Sequence, residues 1–243
     1  MIRNPVREYL DTQGLKLPIE DIEMAVIAAQ TVLRVAQAEI DTSVLWYYEN
    51  HFSLAEKLGV NLDSTANHTV TDLFTANNNS IQTLRQLYLA IDSWRSRYQN
   101  QSVALYLSEK NATSNYLVRL VSQGCVLPAY IQCDEAQMQQ YLFVRTARTG
   151  WLNLIDDVDQ WLKDGSLSGR QPGLSQLSLP ITNEYGQVFG VIFATHERIK
   201  SFSEAELINW IGMALAIVPL VINLQSAMMA TTKGHNCDPD TTS

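Results

Sequence analysis

The chain has 243 residues, of which 46% are hydrophobic and 17% are charged, and its formal net charge is −8. This composition is typical of a globular protein with one sizeable core. Because the chain is acidic and its Lys and Arg residues form no block, we expect no nucleic-acid partner.

Export and membrane signals are weak in this sequence. The N-terminus has no apolar run of signal-peptide length. The longest nearly apolar run, 211–224, is broken by Pro219 and is shorter than the roughly 20 residues that span a bilayer, so we expect no membrane partner. Cys125, Cys133 and Cys237 have no C-x-x-C spacing. An odd count without an export signal predicts a cytoplasmic protein without a disulfide framework.

The first third of the chain is predicted to be helical. Residues 18–41 form one helix with Pro18 near its start and a single apolar stripe, which consists of Ile22, Val26, Ala29, Leu33, Ala36 and Ile40. The stripe can pack on its own domain or on a second copy of the chain, and the sequence leaves both open. Residues 42–77 contain a helix ending near Gly59 and then a polar connector.

Strand patterns follow a further helix over 80–99. Two runs rich in β-branched, aromatic and aliphatic residues, 103–107 and 116–122, predict a hairpin. Residues 124–150 are irregular or helical, and 151–158 can form a short strand followed by a turn. The segment 166–175 is a loop rich in Gly, Ser and Pro.

A second hairpin and a last helix end the pattern. Residues 176–182 and 187–195 predict two strands joined by a turn in which Gly186 can take a positive φ. Gly190, inside the second strand, indicates a bulge or a close backbone approach. Ser203 and Glu206 form a capping box at the helix start, and Pro219 predicts a kink. Residues 229–243 are predicted to be a disordered tail.

This order predicts an α+β protein with an antiparallel sheet and helices from both chain ends on one face. Three stretches resemble the GAF domain, a small-molecule-sensing relative of the PAS fold. They are RTGWLNLIDDV at 148–158, the paired strands SQLSLPITNEYGQVFGVIFATHE at 175–197, and SFSEAELINWIGMALAIV at 201–218 with its Phe-x-x-x-Glu pattern. The resemblance implies a GAF-like domain over 80–228 behind an N-terminal helical segment, 1–79.

The resemblance also implies a ligand between the sheet and the segment that crosses it, which we call the crossing segment (residues 124–161). Its aromatic side chains offer apolar walls, its amides and hydroxyls offer hydrogen bonds, and a guanidinium can hold an oxyanion. The same residues can instead serve packing, turns or surface ion pairs. The candidate ligand-binding residues are Tyr130, Arg145, Arg148, Trp151, Asn153, Asp156, Asp157 and Trp161 in the crossing segment, and Ser175 and Gln176 on the adjoining strand.

Catalytic and metal patterns are missing from the sequence. The four histidines have no H-x-x-H spacing, and no P-loop, G-x-S-x-G or G-x-G-x-x-G occurs, so we expect no metal and no cofactor. His196 beside Glu197 is expected to be structural or solvated. One enzymatic branch of the GAF family reduces free methionine sulfoxide with thiolates. The residues around Cys125 and Cys133 do not match that branch.

Three functions remain in competition. The first is a stand-alone GAF-type sensor that binds a small polar or anionic metabolite and signals through a separate output protein. The second is an interaction or dimerisation module without a ligand, in which helices 18–41 and 203–228 form a homodimer. The third is a thiol-based methionine sulfoxide reductase. The sequence favours the sensor.

Overall fold

The computed structural model describes residues 4–35, 78–110, 114–124 and 127–234. The predicted helix that ends near Gly59 and the connector behind it lie outside these ranges. The helices are α1 Pro5–Gln13, α2 Ile19–Val35, α3 Asn78–Tyr98, α4 Glu135–Gln140, α5 Leu142–Thr149, α6 Val158–Lys163, α7 Glu204–Ala216 and α8 Val218–Gly234. The strands are β1 Ser102–Lys110, β2 Asn115–Gln123, β3 Tyr130–Gln132, β4 Asn153–Ile155, β5 Ser175–Thr182 and β6 Val188–His196.

The six strands form one sheet in the order β3-β2-β1-β6-β5-β4, and every neighbouring pair is antiparallel. Both predicted hairpins, β1–β2 and β5–β6, are confirmed. The two hairpins pair through β1 and β6, so the first and last strands lie at the centre of the sheet. The predicted antiparallel α+β architecture is therefore confirmed.

The β5–β6 turn and the neighbouring bulge follow the predicted glycine roles. Gly186 has a φ of 74°, and Asn183 Oδ1 accepts from the backbone N–H groups of Tyr185 and Gln187. The register of the β5–β6 pair shifts between Ile181 and Thr182, directly after the position at which Ile181 pairs with Gly190. A Cβ atom at Gly190 would collide with the Tyr106 carbonyl oxygen. Gly190 is therefore the close backbone approach that the sequence predicted.

Helix α1 is an element that the sequence patterns above did not predict. Its signals are local: Asn4 Oδ1 accepts from the N–H groups of Val6 and Arg7, and Pro5 occupies the first turn. Gly14 ends the helix in the left-handed conformation. A helix this short has too few apolar residues for a clear period, so only its caps reveal it.

Helix α2 covers 19–35 of the predicted helix 18–41, and residues 36–41 lie outside the described ranges. Ile22, Ala29 and Leu33 of the predicted stripe are buried within the chain itself. The helix lies against α7, and a Cβ atom at Gly212 would be 2.5 Å from Ala25 Cβ. The stripe therefore packs on its own chain, which is one of the two alternatives that the sequence left open.

Replacing Gly212 by alanine is expected to lower the free energy of unfolding by about 1–3 kcal/mol, because the added methyl group overpacks the α2–α7 contact. Urea denaturation measures this loss. The double variant Gly212→Ala/Ala25→Gly returns part of the space and should recover part of the stability. A single variant as stable as the wild type would contradict the close α2–α7 packing.

Helices α1, α3, α7 and α8 pack with α2 on one face of the sheet. This helix-covered face carries a large core that includes Trp94 of α3 and Trp210 of α7, both almost fully buried. Val6 and Ile22 of the N-terminal segment belong to the same core. The domain boundary at residue 79/80 stays a prediction, because the two sides of it share this core.

The chain after β6 forms two helices where one kinked helix was predicted. Helix α7 ends at Ala216, α8 starts at Val218, and their axes differ by 42°, so the bend that Pro219 predicts is confirmed. Among the described helices, none is by itself long and apolar enough to cross a membrane, although the bent pair meets the length and composition test together. Helix α8 continues to Gly234, so the predicted tail 229–243 is helical over its first residues.

Candidate functional site

The sheet face opposite the large helical layer is covered by the crossing segment. We call this sheet face the crossing face. Ala104 and Tyr106 of β1 and Val191 and Phe193 of β6 form its centre, and all four are at most 1% exposed. Helix α5 lies over this centre and contributes Leu142, Phe143 and Val144, which are equally buried. The part of the crossing segment that lies over the centre of the sheet is therefore helical, and it packs directly on the strands.

Phe143 lies at the middle of this packing. Its ring is stacked on Tyr106, with centroids 4.5 Å apart and planes at 11°. It meets Phe193 edge-to-face at 5.3 Å and Tyr141 at 5.1 Å. Stacked and edge-to-face arrangements are the favoured geometries of aromatic pairs. Phe143 therefore fills part of the space between the sheet and the crossing segment, the region in which the GAF resemblance implied a ligand.

A group of polar side chains lies beside this aromatic cluster, between α5 and the β4–β5 edge of the sheet. We call it the polar corner; it consists of Thr146, Asn153, Gln176 and Ser178. Asn153 Nδ2 donates to Thr146 Oγ1 at 2.9 Å, and Asn153 is paired with Ser178 in the strand register. Gln176 Nε2 donates to Gln171 Oε1 and to the Pro172 carbonyl oxygen.

Two atoms of the polar corner stay without a hydrogen-bond partner in the described part of the chain. They are Gln176 Oε1 and Ser178 Oγ, and both residues are fully buried. Buried polar atoms of this kind are rare and usually bind water or another group. Gln176 was predicted as a site residue, whereas Ser178 and Thr146 were missed. The alternation of β5 places Ser178 on the same face as Gln176, so the strand period was the available signal.

Arg145 and Trp161, two predicted site residues, lie together on the outside of the aromatic cluster. The Arg145 guanidinium is 5.4 Å from the centroid of the Trp161 ring, and its Nη2 donates to the Ser166 carbonyl oxygen at 2.5 Å. This contact holds α5, α6 and the following loop together. Trp151 does not join them, since 54% of its surface is exposed.

Three further predicted site residues make hydrogen bonds that fix the backbone of neighbouring segments. Asp157 caps α6 by accepting from the Gln160 N–H at 3.1 Å. The exposed Asp156 accepts the Lys200 N–H through its backbone oxygen at 2.8 Å. Ser175 Oγ donates to the Arg198 carbonyl oxygen at 2.8 Å. These contacts tie the crossing segment and β5 to the loop after β6.

Tyr130 and Arg148 lie near the opposite edge of the sheet and the free thiol of Cys133. Tyr130 stacks on Tyr116 at 4.8 Å, and burial, with the neighbouring Glu109 carboxylate, raises the pKa of its phenol. Burial also raises the pKa of the Cys133 thiol to about 11, although the positive charge of Arg148 opposes the shift. Cys133 is therefore a protonated thiol at neutral pH.

A buried carboxylate joins the end of β6 to the start of α7. Glu206 Oε1 lies 3.0 Å from His196 Nε2, accepts from Asn100 Nδ2 at 2.9 Å and accepts from Trp210 Nε1 at 3.4 Å. A carboxylate only accepts, so His196 Nε2 carries the proton between them. Ser203 Oγ accepts from the Glu206 N–H as predicted, but the Glu206 side chain turns into this network. His196 is structural, as expected, with Glu206 as its partner.

Comparisons with known proteins give the fold a context. No protein-family model matches the sequence, and no curated protein matches it. The type II free methionine-R-sulfoxide reductase of Thermoplasma acidophilum is similar in structure, with a TM-score of 0.51 and 15% identity over 60% of this chain and 97% of that chain.

Two further solved structures are similar at lower TM-scores. The GAF domain of an Acinetobacter phosphoenolpyruvate-protein phosphotransferase is 16% identical over 67% of this chain and 99% of that one, with a TM-score of 0.42. Residues 122–287 of a methyl-accepting chemotaxis protein are 15% identical over 59% of this chain and 91% of that one, with a TM-score of 0.47. The six-stranded antiparallel sheet between a helical layer and a crossing segment is a GAF-domain fold.

Proposed function

We propose that this chain is an interaction module with the GAF fold, which fills its crossing face with its own side chains and contacts another protein through its helical layer. The observation that carries the proposal is the Phe143 ring, stacked on Tyr106 in the region in which a ligand was implied. A ligand there would have to displace a ring that is 1% exposed. The candidate residues around it already serve packing, capping and backbone contacts.

The proposal is tested by a thermal-shift screen of the full chain with small acids, amides, nucleotides and nitrogen oxyanions. A genuine ligand at 100 times its dissociation constant stabilises a protein by about 2.7 kcal/mol. We expect no compound in the screen to raise the melting temperature of the wild type in a saturable way. A saturable rise that is lost in the Ser178→Val variant would overturn the proposal in favour of a ligand sensor.

A small-molecule sensor is the second candidate, because one observation favours it. Gln176 Oε1 and Ser178 Oγ are buried without partners among the described residues, and they lie beside the Thr146–Asn153 hydrogen bond. The free amide oxygen accepts hydrogen bonds, so this place suits a ligand with an N–H or O–H donor better than an anion. Occupancy would signal by favouring one of two conformations, and the output would lie in a separate protein.

The thiol-enzyme alternative predicts a reactive thiolate at Cys125 or Cys133. Cys125 lies outside the described residues, and Cys133 has the opposite chemistry. A pKa of about 11 leaves little thiolate at neutral pH, and the thiolate is the form that attacks. In a Cys125→Ser/Cys237→Ser background we expect Cys133 to react with iodoacetamide about 200-fold more slowly than free cysteine at pH 8, because its thiolate fraction is smaller by that factor when the pKa of free cysteine is about 8.5. The rate should keep rising with pH up to about 11.

The control for this alkylation is the same protein in denaturant, where Cys133 loses its burial and should react like free cysteine. Mass spectrometry at timed intervals gives both rates. A folded-state rate that reaches its plateau below pH 8 would show a low-pKa thiolate and would revive the enzyme.

A further inference from the structure

Helix α1 lies where the pairing of β4 with β5 stops. Strand β4 starts at Asn153, which pairs with Ser178, and the chain before Asn153 is not paired with β5. If the register continued by two residues, Trp151 would lie opposite Pro180. We call the space between residues 150–152 and Pro180 the notch. The backbone groups on its two sides need partners other than each other.

Two side chains of α1 supply these partners, one to each side of the notch. The Tyr9 hydroxyl donates to the Pro180 carbonyl oxygen at 3.2 Å. Gln13 Nε2 donates to the Gly150 carbonyl oxygen at 2.9 Å, and Gln13 Oε1 accepts from the Leu152 N–H. Tyr9 is 5% exposed and Gln13 is 7% exposed. Helix α1 therefore bridges β5 and the crossing segment with hydrogen bonds that are shielded from water.

The buried face of α1 carries both of these residues together with its apolar anchors. Val6 and Leu10 are buried in the core of the helix-covered face, and their spacing places them on the same side of the helix as Tyr9 and Gln13. Burial raises the pKa of the Tyr9 phenol, so the hydroxyl stays a donor at neutral pH. Because one face makes all of these contacts, α1 docks and leaves as a unit.

The notch adjoins the polar corner. Gly150 ends α5, and its N–H donates to the backbone oxygen of Thr146, a member of the polar corner. Asn153, another member, donates to Thr146 Oγ1 and to the Trp151 carbonyl oxygen. Gln13 thus holds the short stretch 150–152 that joins α5 to β4. The position of α1 therefore fixes the link between Thr146 and Asn153.

We propose that α1 is a latch on the crossing segment. In the latched state Tyr9 and Gln13 hold β5 and the stretch 150–152 at a fixed separation. Release of α1 removes both contacts together and loosens the end of α5 and the polar corner, while the centre of the sheet stays folded. Whatever displaces the N-terminal helix thereby also loosens the crossing face. The inference goes beyond the proposed interaction function and does not depend on it, because every contact that carries it lies within one chain.

Native-state hydrogen exchange of the full wild-type chain, in a series of low urea concentrations, tests the latch. We expect the amides of α1 and of 149–155 to exchange through one shared opening, with equal dependence on urea and about 10-fold or more faster than those of β6. Mass spectrometry of peptides that cover 5–13, 149–155 and 188–196 measures the rates. Separate openings of α1 and of 149–155 would overturn the proposal, because α1 would then leave without moving the crossing segment.

Tyr9→Phe gives a sharper test, because the lost hydroxyl contacts β5 and not the crossing segment. Loss of one hydrogen bond should speed the exchange of both α1 and 149–155 about 5-fold and leave β6 unchanged. Gln13→Ala loses two hydrogen bonds and should speed both segments about 10-fold or more. Arg7→Gln is the matched control, since Arg7 is exposed on α1 and glutamine has a similar helix propensity. It should exchange like the wild type.

The exchange pattern of Tyr9→Phe decides between the latch and its alternatives. Faster exchange in α1 alone would overturn the latch. An equal acceleration in β6 would also overturn it, because α1 would then support the whole fold instead of a separate opening. Circular dichroism confirms that each variant is folded, and the urea series on the wild type gives its answer without any variant.

Discussion

Replacing Phe143 by alanine is expected to lower the free energy of unfolding by about 3–5 kcal/mol, because the change removes a fully buried ring and leaves a cavity. The ring contacts Tyr106, Tyr141 and Phe193, so the loss includes aromatic pairing as well as burial. Urea denaturation followed by far-UV circular dichroism measures the effect.

Two control variants separate this cavity from general damage to the crossing segment. Phe143→Leu keeps most of the apolar volume and should lose clearly less stability than Phe143→Ala. Trp151→Ala removes a larger side chain that is 54% exposed, and we expect a loss below about 1 kcal/mol. Equal losses for Phe143→Ala and Trp151→Ala would contradict the packing on the crossing face.

Replacing Glu206 by alanine is expected to cost about 3–5 kcal/mol, because it leaves nitrogen donors of His196, Asn100 and Trp210 buried without their acceptor. Glu206→Gln keeps one acceptor oxygen and should cost less. Urea denaturation followed by far-UV circular dichroism gives the stability.

Glu204→Ala is the matched control for the Glu206 variants. Glu204 lies in the same first turn of α7, but it is exposed and makes no contact with the network. Its loss should stay below about 1 kcal/mol, as is typical of a surface site. If Glu206→Ala were as stable as Glu204→Ala, the buried network would contribute nothing to the free energy of unfolding, which would contradict its structural role.

Local signals in the sequence were sufficient for the two hairpins and for the start and the bend of the last helices, whereas the edge strand β3 lies in a stretch that was predicted to be irregular or helical. The alternation in 175–196 and the Gly186 turn predict a hairpin by themselves, since the residues that decide it are neighbours. Ser203 predicts the start of α7, because the capping hydrogen bond joins residues that are only three positions apart. Pro219 predicts a break because its ring prevents a continuous helix.

Long-range packing was beyond the reach of the sequence. Phe143 follows no strand or turn signal, and its ring meets Tyr106 and Phe193 only because β1 and β6 pair at the centre of the sheet. Glu206 looked like half of a capping box, because its partners Asn100 and His196 come from elements distant in sequence. The sequence therefore predicted that the crossing segment lies on the sheet, but it did not predict which contacts the aromatic, Arg and Asp side chains of the segment make.

The central claim is that the side chain of Phe143 fills the crossing face. Melting curves of the wild type and of Phe143→Ala, each with and without saturating benzene, test it most directly, because an apolar cavity of ring size binds benzene. We predict that benzene raises the melting temperature of Phe143→Ala and leaves that of the wild type unchanged. An equal rise in both proteins would show that the face is already open in the wild type and would contradict the claim.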